Sequence, residues 1–285
     1  MSKLKIAIQK SGRLNEDSLK ILKDCGISID NGKNQLKASV TNFPLEVLYL
    51  RNSDIPQYLE DGVVDVAIIG ENVLIETRKN LTVLEHLGFS KCRLSLAIPK
   101  RENYNSVQYF NGKKIATSYP NSLNDFLRKN KVEAEIHEIS GSVEIAPNIG
   151  LADVVCDLVS SGSTLFNNGL IEVEQVLKSE ACLVSSPRIS KENSQILEDF
   201  LFRLRAVLKA RRSKYILLNA PNEKIKEISS ILPVLKSPTV LPLVTEGWSS
   251  LHSVINKDDF WNVIDKLKAA GAEDILIIPI EKMVI

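Results

Sequence analysis

Short apolar runs alternate with amphipathic segments along the chain up to about residue 180. Apolar runs of strand length that alternate with helical patterns predict an α/β fold. Gly26 and Gly62 end helical segments, because glycine readily adopts the backbone conformation that closes a helix. The predicted strands are residues 4–8, 43–50, 63–69, 94–98, 114–117, 134–139 and 154–159, and the predicted helices are residues 16–25, 55–61 and 122–129.

A short motif occurs twice in the chain. Gly62 and Asp65 have the same spacing as Gly150 and Asp153, and each pair leads into a buried strand and a turn that contains glycine. The repeat predicts two similar α/β lobes that face one another across a cleft, in a core like that of periplasmic binding proteins. The two aspartates either brace their turns or contact a ligand.

The pattern changes after a long amphipathic helix predicted for residues 195–212. The order strand, helix, strand, strand, helix, strand follows, and it is typical of a ferredoxin-like (βαββαβ) module. The module has no cluster of acid, base and nucleophile, so it is interpreted as regulatory or interfacial, and His252, alone in a strand, as structural. The predicted elements are residues 215–218, 223–232, 239–244, 251–255, 259–270 and 274–280.

Three domains are predicted. Residues 1–90 and 182–212 form lobe I, residues 91–181 form lobe II, and residues 213–285 form the C-terminal domain. The chain crosses between the lobes twice, which predicts a hinge.

Composition and charge narrow the class of protein. A chain of 285 residues with 44% apolar and 25% charged residues is typical of a globular protein with more than one compact unit. A net charge of +1 argues against a nucleic-acid-binding surface, so any phosphate site must be local. The four cysteines lack CxxC spacing and are expected to be reduced core residues. The chain begins directly with a strand pattern and has no apolar run of about 18 residues, so we expect a cytoplasmic protein without a membrane span.

The stretch from residue 150 to 169 contains the strongest candidate for a binding site. Asp157 interrupts an apolar run, and small hydroxyl residues around a glycine follow it. Backbone N–H groups and hydroxyls converge in such a loop and suit a phosphate, whereas a carboxylate just before the loop suits ribose hydroxyls. The stretch is either a ribose 5-phosphate site or a serine–glycine turn in which Asp157 acts as a cap. The loop consists of Ser160, Ser161, Gly162, Ser163 and Thr164.

Cationic residues follow two other predicted strands. Lys10 and Arg13 flank Gly12 in the loop after the first strand, and Arg51 follows the strand at residues 43–50. Open α/β sheets bind ligands at the carboxyl ends of their strands, which favours a ligand-facing position for these side chains. The alternative is that they are solvated charges on turns.

Motifs along essentially the whole chain resemble those of the ATP phosphoribosyltransferases. The resemblance implies transfer of the phosphoribosyl group of phosphoribosyl diphosphate to N1 of the adenine of ATP. The products would be phosphoribosyl-ATP and pyrophosphate, in the first step of L-histidine biosynthesis. The similar segments are Gln-Lys-Ser-Gly-Arg-Leu (9–14), Arg-Asn-Ser-Asp-Ile-Pro (51–56), Glu-Ile-Ser-Gly-Ser-Val-Glu (138–144), Asp-Leu-Val-Ser-Ser-Gly-Ser-Thr (157–164) and Leu-Lys-Ser-Pro-Thr-Val (235–240), with residues 61–70 and 88–94.

The same resemblance implies roles for individual residues. The loop at residues 160–164 would anchor the 5-phosphate, and Asp157 would hold ribose hydroxyls. Glu144 is a candidate for a ribose or metal-linked contact, and Mg²⁺ would be bound mainly through the substrate phosphates. The cations that would offset the charge of ATP and pyrophosphate are Lys10, Arg13 and Arg51.

Resemblance to the long-form enzymes implies that the C-terminal domain binds L-histidine as an inhibitor and helps to assemble dimers into hexamers. Asn219 departs from an acidic residue of some relatives, which weakens the assumed contact to the amino group of the effector. The implied histidine site comprises Asn219, Leu235, Ser237, Thr239 and Ala272.

Two other classes of protein remain as alternatives. A solute-binding protein would share the two-lobed fold, but the phosphate loop and the expected absence of export argue against it. A catalytically silent regulatory paralogue would also keep the fold. The presence of Lys10, Arg13 and Arg51 favours an active enzyme.

Overall fold

The computed structural model describes residues 2–30, 36–232 and 237–284. The chain forms two compact units, here called the core unit and the C-terminal unit. The domain limits expected from the sequence remain predictions. The core unit comprises Met1–Lys20 and Ile27–Ile196, and the C-terminal unit comprises Ile21–Gly26 and Leu197–Ile285.

The secondary structure alternates between strands and helices up to residue 185, as predicted. The helices there are α1 (Arg13–Asp24), α2 (Ile55–Glu60), α3 (Glu71–Thr77), α4 (Pro120–Lys129) and α5 (Ser163–Asn167). The strands are β1 (Leu4–Gln9), β2 (Lys37–Ser39), β3 (Leu45–Leu50), β4 (Val66–Gly70), β5 (Thr82–His86), β6 (Cys92–Pro99), β7 (Lys114–Thr117), β8 (Glu135–Glu138), β9 (Val154–Val159), β10 (Leu170–Ser179) and β11 (Ala181–Ser185).

Most strands that are buried on both faces were predicted, because such a strand is a continuous apolar run; strand β11 is also buried throughout and was not predicted. Strands β7 and β9 have the predicted bounds. Strands β2, β5 and β10 and helix α3 were not predicted. Strand β10 is mostly half-buried or exposed and carries glutamate, glutamine and lysine, so it lacks the apolar run on which the prediction depended.

The first sheet has the strand order β2-β3-β1-β4-β11-β5. Strand β1 is parallel to β3 and β4, whereas β11 is antiparallel to β4 and β5. The carboxyl ends of the parallel strands β1 and β3 therefore lie together at one edge. We call this sheet, with the helices that follow its parallel strands, lobe I.

The second sheet has the order β10-β6-β9-β7-β8, and with its helices it forms lobe II. Strand β7 is parallel to β8 and β9, and β6 is antiparallel to β9 and β10. This matches the order β5-β11-β4-β1-β3 of lobe I, both in sequence of neighbours and in strand direction. The prediction of two similar α/β lobes is confirmed.

The repeated motif has the same structural role in both lobes. Asp65 accepts a hydrogen bond from the backbone N–H of Lys5 through its carboxylate (2.8 Å) and donates its own N–H to the Lys5 carbonyl (3.0 Å). Asp153 makes the same two bonds with Lys114, at 2.9 Å and 2.9 Å. Each aspartate thus ties a turn to the start of a neighbouring parallel strand, which supports the bracing alternative.

The chain crosses between the lobes in two adjacent segments. Strand β5 leads to β6 in one direction, and β10 leads to β11 in the other. The crossings are hydrogen-bonded to each other, because Leu87 donates to the carbonyl of Ala181 (2.9 Å) and Ala181 donates to the carbonyl of Phe89 (3.0 Å). Paired crossings of this kind agree with the predicted position of the hinge; motion about it remains a prediction.

The remaining elements include the predicted βαββαβ module. Its four strands form an antiparallel sheet with the order Thr239–Pro242, Trp248–Asn256, Ser213–Pro221 and Glu273–Pro279, which is that of a ferredoxin-like fold. His252 lies in this sheet with its Nδ1 atom 2.7 Å from the Tyr215 hydroxyl, as a structural histidine would. The elements are α6 (Lys191–Arg211), β12 (Ser213–Pro221), α7 (Ile225–Ile231), β13 (Thr239–Pro242), β14 (Trp248–Asn256), α8 (Phe260–Ala269) and β15 (Glu273–Pro279).

The cysteines are free thiols. Cys25, Cys156 and Cys182 are buried, and Cys92 is partly buried. Burial raises the pKa of Cys25 and of Cys182 to about 12, so both remain protonated at neutral pH. No helix among the described residues is long and apolar enough to cross a membrane.

Candidate active site

Lys10 and Arg51 leave the first sheet side by side. Strands β1 and β3 are parallel, with Gln9 opposite Leu50 at their carboxyl ends. The backbone N–H of Lys10 donates to the carbonyl of Leu50 (2.8 Å). Lys10 and Arg51, the residues that follow the two strands, therefore lie at the same edge of the sheet. Both cationic side chains are exposed there. The structure thus brings these two predicted site residues together.

Arg13 is the first residue of helix α1, whereas the sequence placed it in the preceding loop and began the helix at residue 16. The helix starts earlier because Gly12, with φ of 87°, turns the chain so that its carbonyl accepts from Glu16 (3.1 Å). Arg13 is exposed, and its Nη1 atom donates to the hydroxyl of Ser160 at 3.3 Å. A cation of lobe I therefore contacts the loop of residues 160–164 in lobe II, which we call the hydroxyl loop.

The hydroxyl loop begins where strand β9 ends. Gly162 has φ of 82°, a left-handed conformation that favours glycine, and helix α5 begins at the next residue. Ser163 and Thr164, predicted as loop residues, therefore belong to the first turn of a short helix. The hydroxyl oxygens of Ser161 and Ser163 are 2.9 Å apart, and both side chains are exposed. The loop thus presents several hydroxyl groups within a short exposed stretch of chain.

Asp157 lies half-buried in strand β9, two residues before the strand ends. Burial raises the pKa of its carboxyl group, the N–H of Leu158 lowers it through a 2.8 Å hydrogen bond, and the nearby charge of Glu144 raises it. Glu144 comes from a 3₁₀ turn at Val143–Ile145 in the same lobe. The structure therefore brings the two predicted carboxylates near one another, beside the hydroxyl loop.

Tyr119 is a residue of this region that the sequence reasoning missed. It follows strand β7, which pairs with β9, and its hydroxyl accepts a hydrogen bond from the side-chain amide of Asn72 in lobe I (3.2 Å). Burial, and next the charge of Asp157, raise the pKa of Tyr119 to about 12, so the phenol stays protonated. Tyr119 could have been found from the rule that ligands lie at the carboxyl ends of parallel strands, because it follows such a strand.

Asn219 and Ala272 lie close together in the C-terminal unit. Asn219 is opposite Glu273 in the β12–β15 pair, and Ala272 immediately precedes that residue. The side-chain amide of Asn219 donates to the carboxylate of Asp274 at 3.0 Å. Asp274 has φ of 48°, an uncommon value for a residue other than glycine. The carboxylate of Asp274 therefore lies beside the Asn219 side chain.

The other predicted histidine-site residues are not brought to Asn219 by strand pairing. Thr239 on β13 is opposite His252, which is opposite Leu217 rather than Asn219. Ser237 is exposed just before that strand. Leu235 lies outside the described residues.

Comparisons with known proteins cover both units of the chain. Residues 51–206 match the family model described as ATP phosphoribosyltransferase, and residues 210–282 match the one described as HisG, C-terminal domain. The ATP phosphoribosyltransferase of Cytophaga hutchinsonii is 56% identical over 281 residues, which are 99% of this chain and 98% of that protein.

Two solved structures also match most of the chain. A structure of an ATP phosphoribosyl transferase (HisG:HisZ) complex from Thermotoga maritima matches with a TM-score of 0.63 and 28% identity, over 72% of this chain and 98% of the matched chain. A putative periplasmic sulfonate-binding protein, SsuA of Methylobacillus flagellatus, matches in fold alone, with a TM-score of 0.50 and 13% identity over 72% of this chain and 67% of that chain. The family models and the near full-length identity together show that this chain belongs to the ATP phosphoribosyltransferase family of enzymes.

Proposed function

We propose that the chain transfers the phosphoribosyl group of phosphoribosyl diphosphate to N1 of the adenine of ATP, as the first step of L-histidine biosynthesis. The observation that carries this proposal is the contact between Arg13 of lobe I and Ser160 of lobe II. It joins a cationic edge to a hydroxyl loop, which is the arrangement that two polyanionic substrates require. Family membership supports the same reaction.

In the proposed reaction the bond from ribose C1 to the pyrophosphate oxygen breaks and a bond from C1 to adenine N1 forms. The electron pair of the broken bond leaves with pyrophosphate, and the lone pair of N1 makes the new bond. N1 is a neutral nitrogen, so no general base is needed to activate it. The protein's contribution is then to align the two substrates and to stabilise the charge of the leaving group.

The site residues divide this work. The hydroxyl loop at residues 160–164 binds the 5-phosphate, and Asp157 accepts hydrogen bonds from ribose hydroxyls. Lys10 and Arg51, side by side at one sheet edge, bind the phosphates of ATP and pyrophosphate together with Arg13. Because three cationic side chains share the negative charge of these phosphates, loss of any one of them is expected to slow the reaction without abolishing substrate binding.

Mg²⁺ fits the donors that this region offers. Among residues 2–30, 36–232 and 237–284, no group of three or more His, Cys, Asp and Glu side chains is placed to hold a metal ion. Mg²⁺ is usually held by one or two carboxylates together with substrate phosphates, and Asp157 and Glu144 are two such carboxylates. When bound, the ion would offset charge on the pyrophosphate.

The C-terminal unit is proposed to bind L-histidine as a feedback inhibitor. Asn219 and Asp274 form a polar pair there, and the Asp274 carboxylate is suited to the amino group of an amino acid.

We also propose that the enzyme assembles into dimers and hexamers. Light scattering coupled to size-exclusion chromatography, with and without histidine, measures the assembly.

The catalytic proposal is tested by the absorbance change of N1-substituted adenine, with ATP, phosphoribosyl diphosphate, Mg²⁺ and pyrophosphatase present. We expect turnover that needs both substrates, and a fall in kcat/KM of about 100-fold for Arg13→Ala. Arg128→Ala is the matched control, because Arg128 is exposed and pairs with Asp125 on the same helix. Folded wild-type protein without turnover would instead identify a catalytically silent paralogue.

A further inference from the structure

Strand β6 carries two polar side chains, Arg93 and Ser95, that point to one acceptor. The Nε and Nη2 atoms of Arg93 donate to the two carboxylate oxygens of Glu172 on strand β10. The buried Ser95 hydroxyl donates to the same carboxylate at 2.8 Å. The hydrogen bonds from Arg93 lower the pKa of Glu172, so this carboxylate is ionised throughout the neutral range.

The same guanidinium also reaches the hydroxyl loop. Its remaining terminal nitrogen, Nη1, donates to the backbone carbonyl of Ser160 at 3.4 Å. In the β6–β9 pair, Arg93 is opposite Val159 and Ser95 is opposite Asp157. The network therefore lies beside the strand end that carries both the ribose carboxylate and the phosphate loop of the proposed site.

We propose that Arg93, held by Glu172, is a positioning residue that sets the conformation of the hydroxyl loop for phosphoribosyl diphosphate. This inference rests on the proposed function of that loop. Glu172 fixes the plane and direction of the guanidinium, and Arg93 in turn fixes the Ser160 carbonyl. The guanidinium group of Arg93 is already paired with the carboxylate of Glu172. Arg93 therefore acts through the loop and not on the reacting atoms.

Peptide geometry explains how a hold on one carbonyl orients a phosphate-binding amide. In a planar trans peptide, the carbonyl of one residue and the N–H of the next residue point in opposite directions. With the Ser160 carbonyl turned to Arg93, the N–H of Ser161 is turned away from it. Gly162, in its left-handed conformation, then completes the turn. Loss of Arg93 would release this peptide plane.

Arg13 gives a useful contrast, because it contacts the side chain of the same serine. Its Nη1 atom donates to the Ser160 hydroxyl, whereas Arg93 donates to the Ser160 carbonyl. The two arginines therefore hold different groups of one residue. Only the Arg93 contact controls the direction of the backbone.

The test uses Arg93→Gln, Glu172→Gln and the double variant in the full-length enzyme. Loss of a charge-assisted hydrogen bond predicts a rise of about tenfold or more in KM for phosphoribosyl diphosphate with Arg93→Gln, and less than about twofold in KM for ATP. Glu172→Gln keeps one acceptor oxygen and is expected to give a smaller rise. The double variant should equal Arg93→Gln, because both residues act in series.

Arg128→Gln is the control, since it removes an arginine of the same lobe that pairs with exposed Asp125 and should leave both KM values unchanged. Equal changes in both KM values, or additive effects in the double variant, would overturn the positioning role. If Arg93→Gln does not fold, Glu172→Gln and Ser95→Ala test the same network. Absence of turnover in the wild-type protein refutes the proposed function, whereas active wild-type enzyme with an unchanged Arg93→Gln variant refutes the positioning role alone.

Discussion

Helix α4 of lobe II depends on a residue of lobe I for its N-terminal cap. Tyr119 is at the N-cap position and makes no side-chain cap hydrogen bond. The carboxylate of Glu76, on helix α3, accepts instead from the N–H groups of Asn121 (2.8 Å) and Ser122 (2.9 Å) and from the Ser122 hydroxyl (2.6 Å). We predict that Glu76→Ala destabilises the core unit, because it leaves these donors unpaired and removes a link between the lobes.

The expected magnitude follows from the three contacts. Loss of a helix N-cap typically costs about 1 kcal/mol. A buried donor that loses a charged partner costs about 1–3 kcal/mol, and Ser122 is buried whereas Asn121 is exposed. We therefore expect Glu76→Ala to lower the free energy of unfolding by about 2 kcal/mol. Glu76→Gln keeps one carbonyl oxygen and should lower it by about 1 kcal/mol.

Urea denaturation followed by circular dichroism measures these differences. Arg128→Ala is the control, because its ion pair with Asp125 is on the surface and should contribute less than about 0.5 kcal/mol. Ser122→Ala combined with Glu76→Ala completes a double-mutant cycle. A loss for Glu76→Ala no larger than that of the control would refute the interlobe cap, and fully additive effects in the cycle would refute the contact between Glu76 and the Ser122 hydroxyl.

Three further predictions concern charge and exposure. Burial raises the pKa of Asp157, so its contribution to stability is fully present below the unfolded-state pKa and is lost as the pH rises through the folded-state pKa. Asp157→Asn should therefore raise the melting temperature at neutral pH while it lowers kcat/KM. Thermal scans at several pH values would measure this, and a lower melting temperature would contradict it. Asp274→Asn should raise the histidine concentration for half-inhibition by about tenfold at unchanged kcat, given a charged hydrogen bond to the effector, and unchanged inhibition would exclude that contact. A thiol reagent at mildly alkaline pH should modify Cys92 before Cys25 and Cys182, because Cys92 is only partly buried, and mass spectrometry would show the opposite order if this is wrong.

Local sequence patterns predicted most of the deeply buried strands, with β11 as an exception. Strands β7 and β9 are mostly apolar and buried, because both faces of a central strand are covered. The repeat of Gly62 and Asp65 at Gly150 and Asp153 also predicted the two lobes, since equivalent turns need the same glycine and the same carboxylate brace. Strands β5 and β10 escaped prediction because partial exposure permits polar residues in them.

The cationic side of the site was equally accessible to sequence reasoning. Lys10 and Arg51 each follow an apolar run, and parallel pairing of those strands places the two residues at one edge. Arg93 and Ser95 share a face of strand β6, because residues two apart in a strand do, but the predicted strand began at residue 94 and left Arg93 out. The sequence prediction therefore showed neither this polar face nor what it contacts.

Partners that are distant in the chain were decided by the tertiary structure alone. The sequence by itself determined most of the buried strands, the two lobes, the ferredoxin-like module and the residue types of the loop, because these depend on local periodicity and residue type. It did not determine that Arg13 and Arg93 hold the same serine, or that Glu76 caps a helix of the other lobe. Those contacts depend on strand order and on the two crossings between lobes, which bring together residues that no local pattern relates.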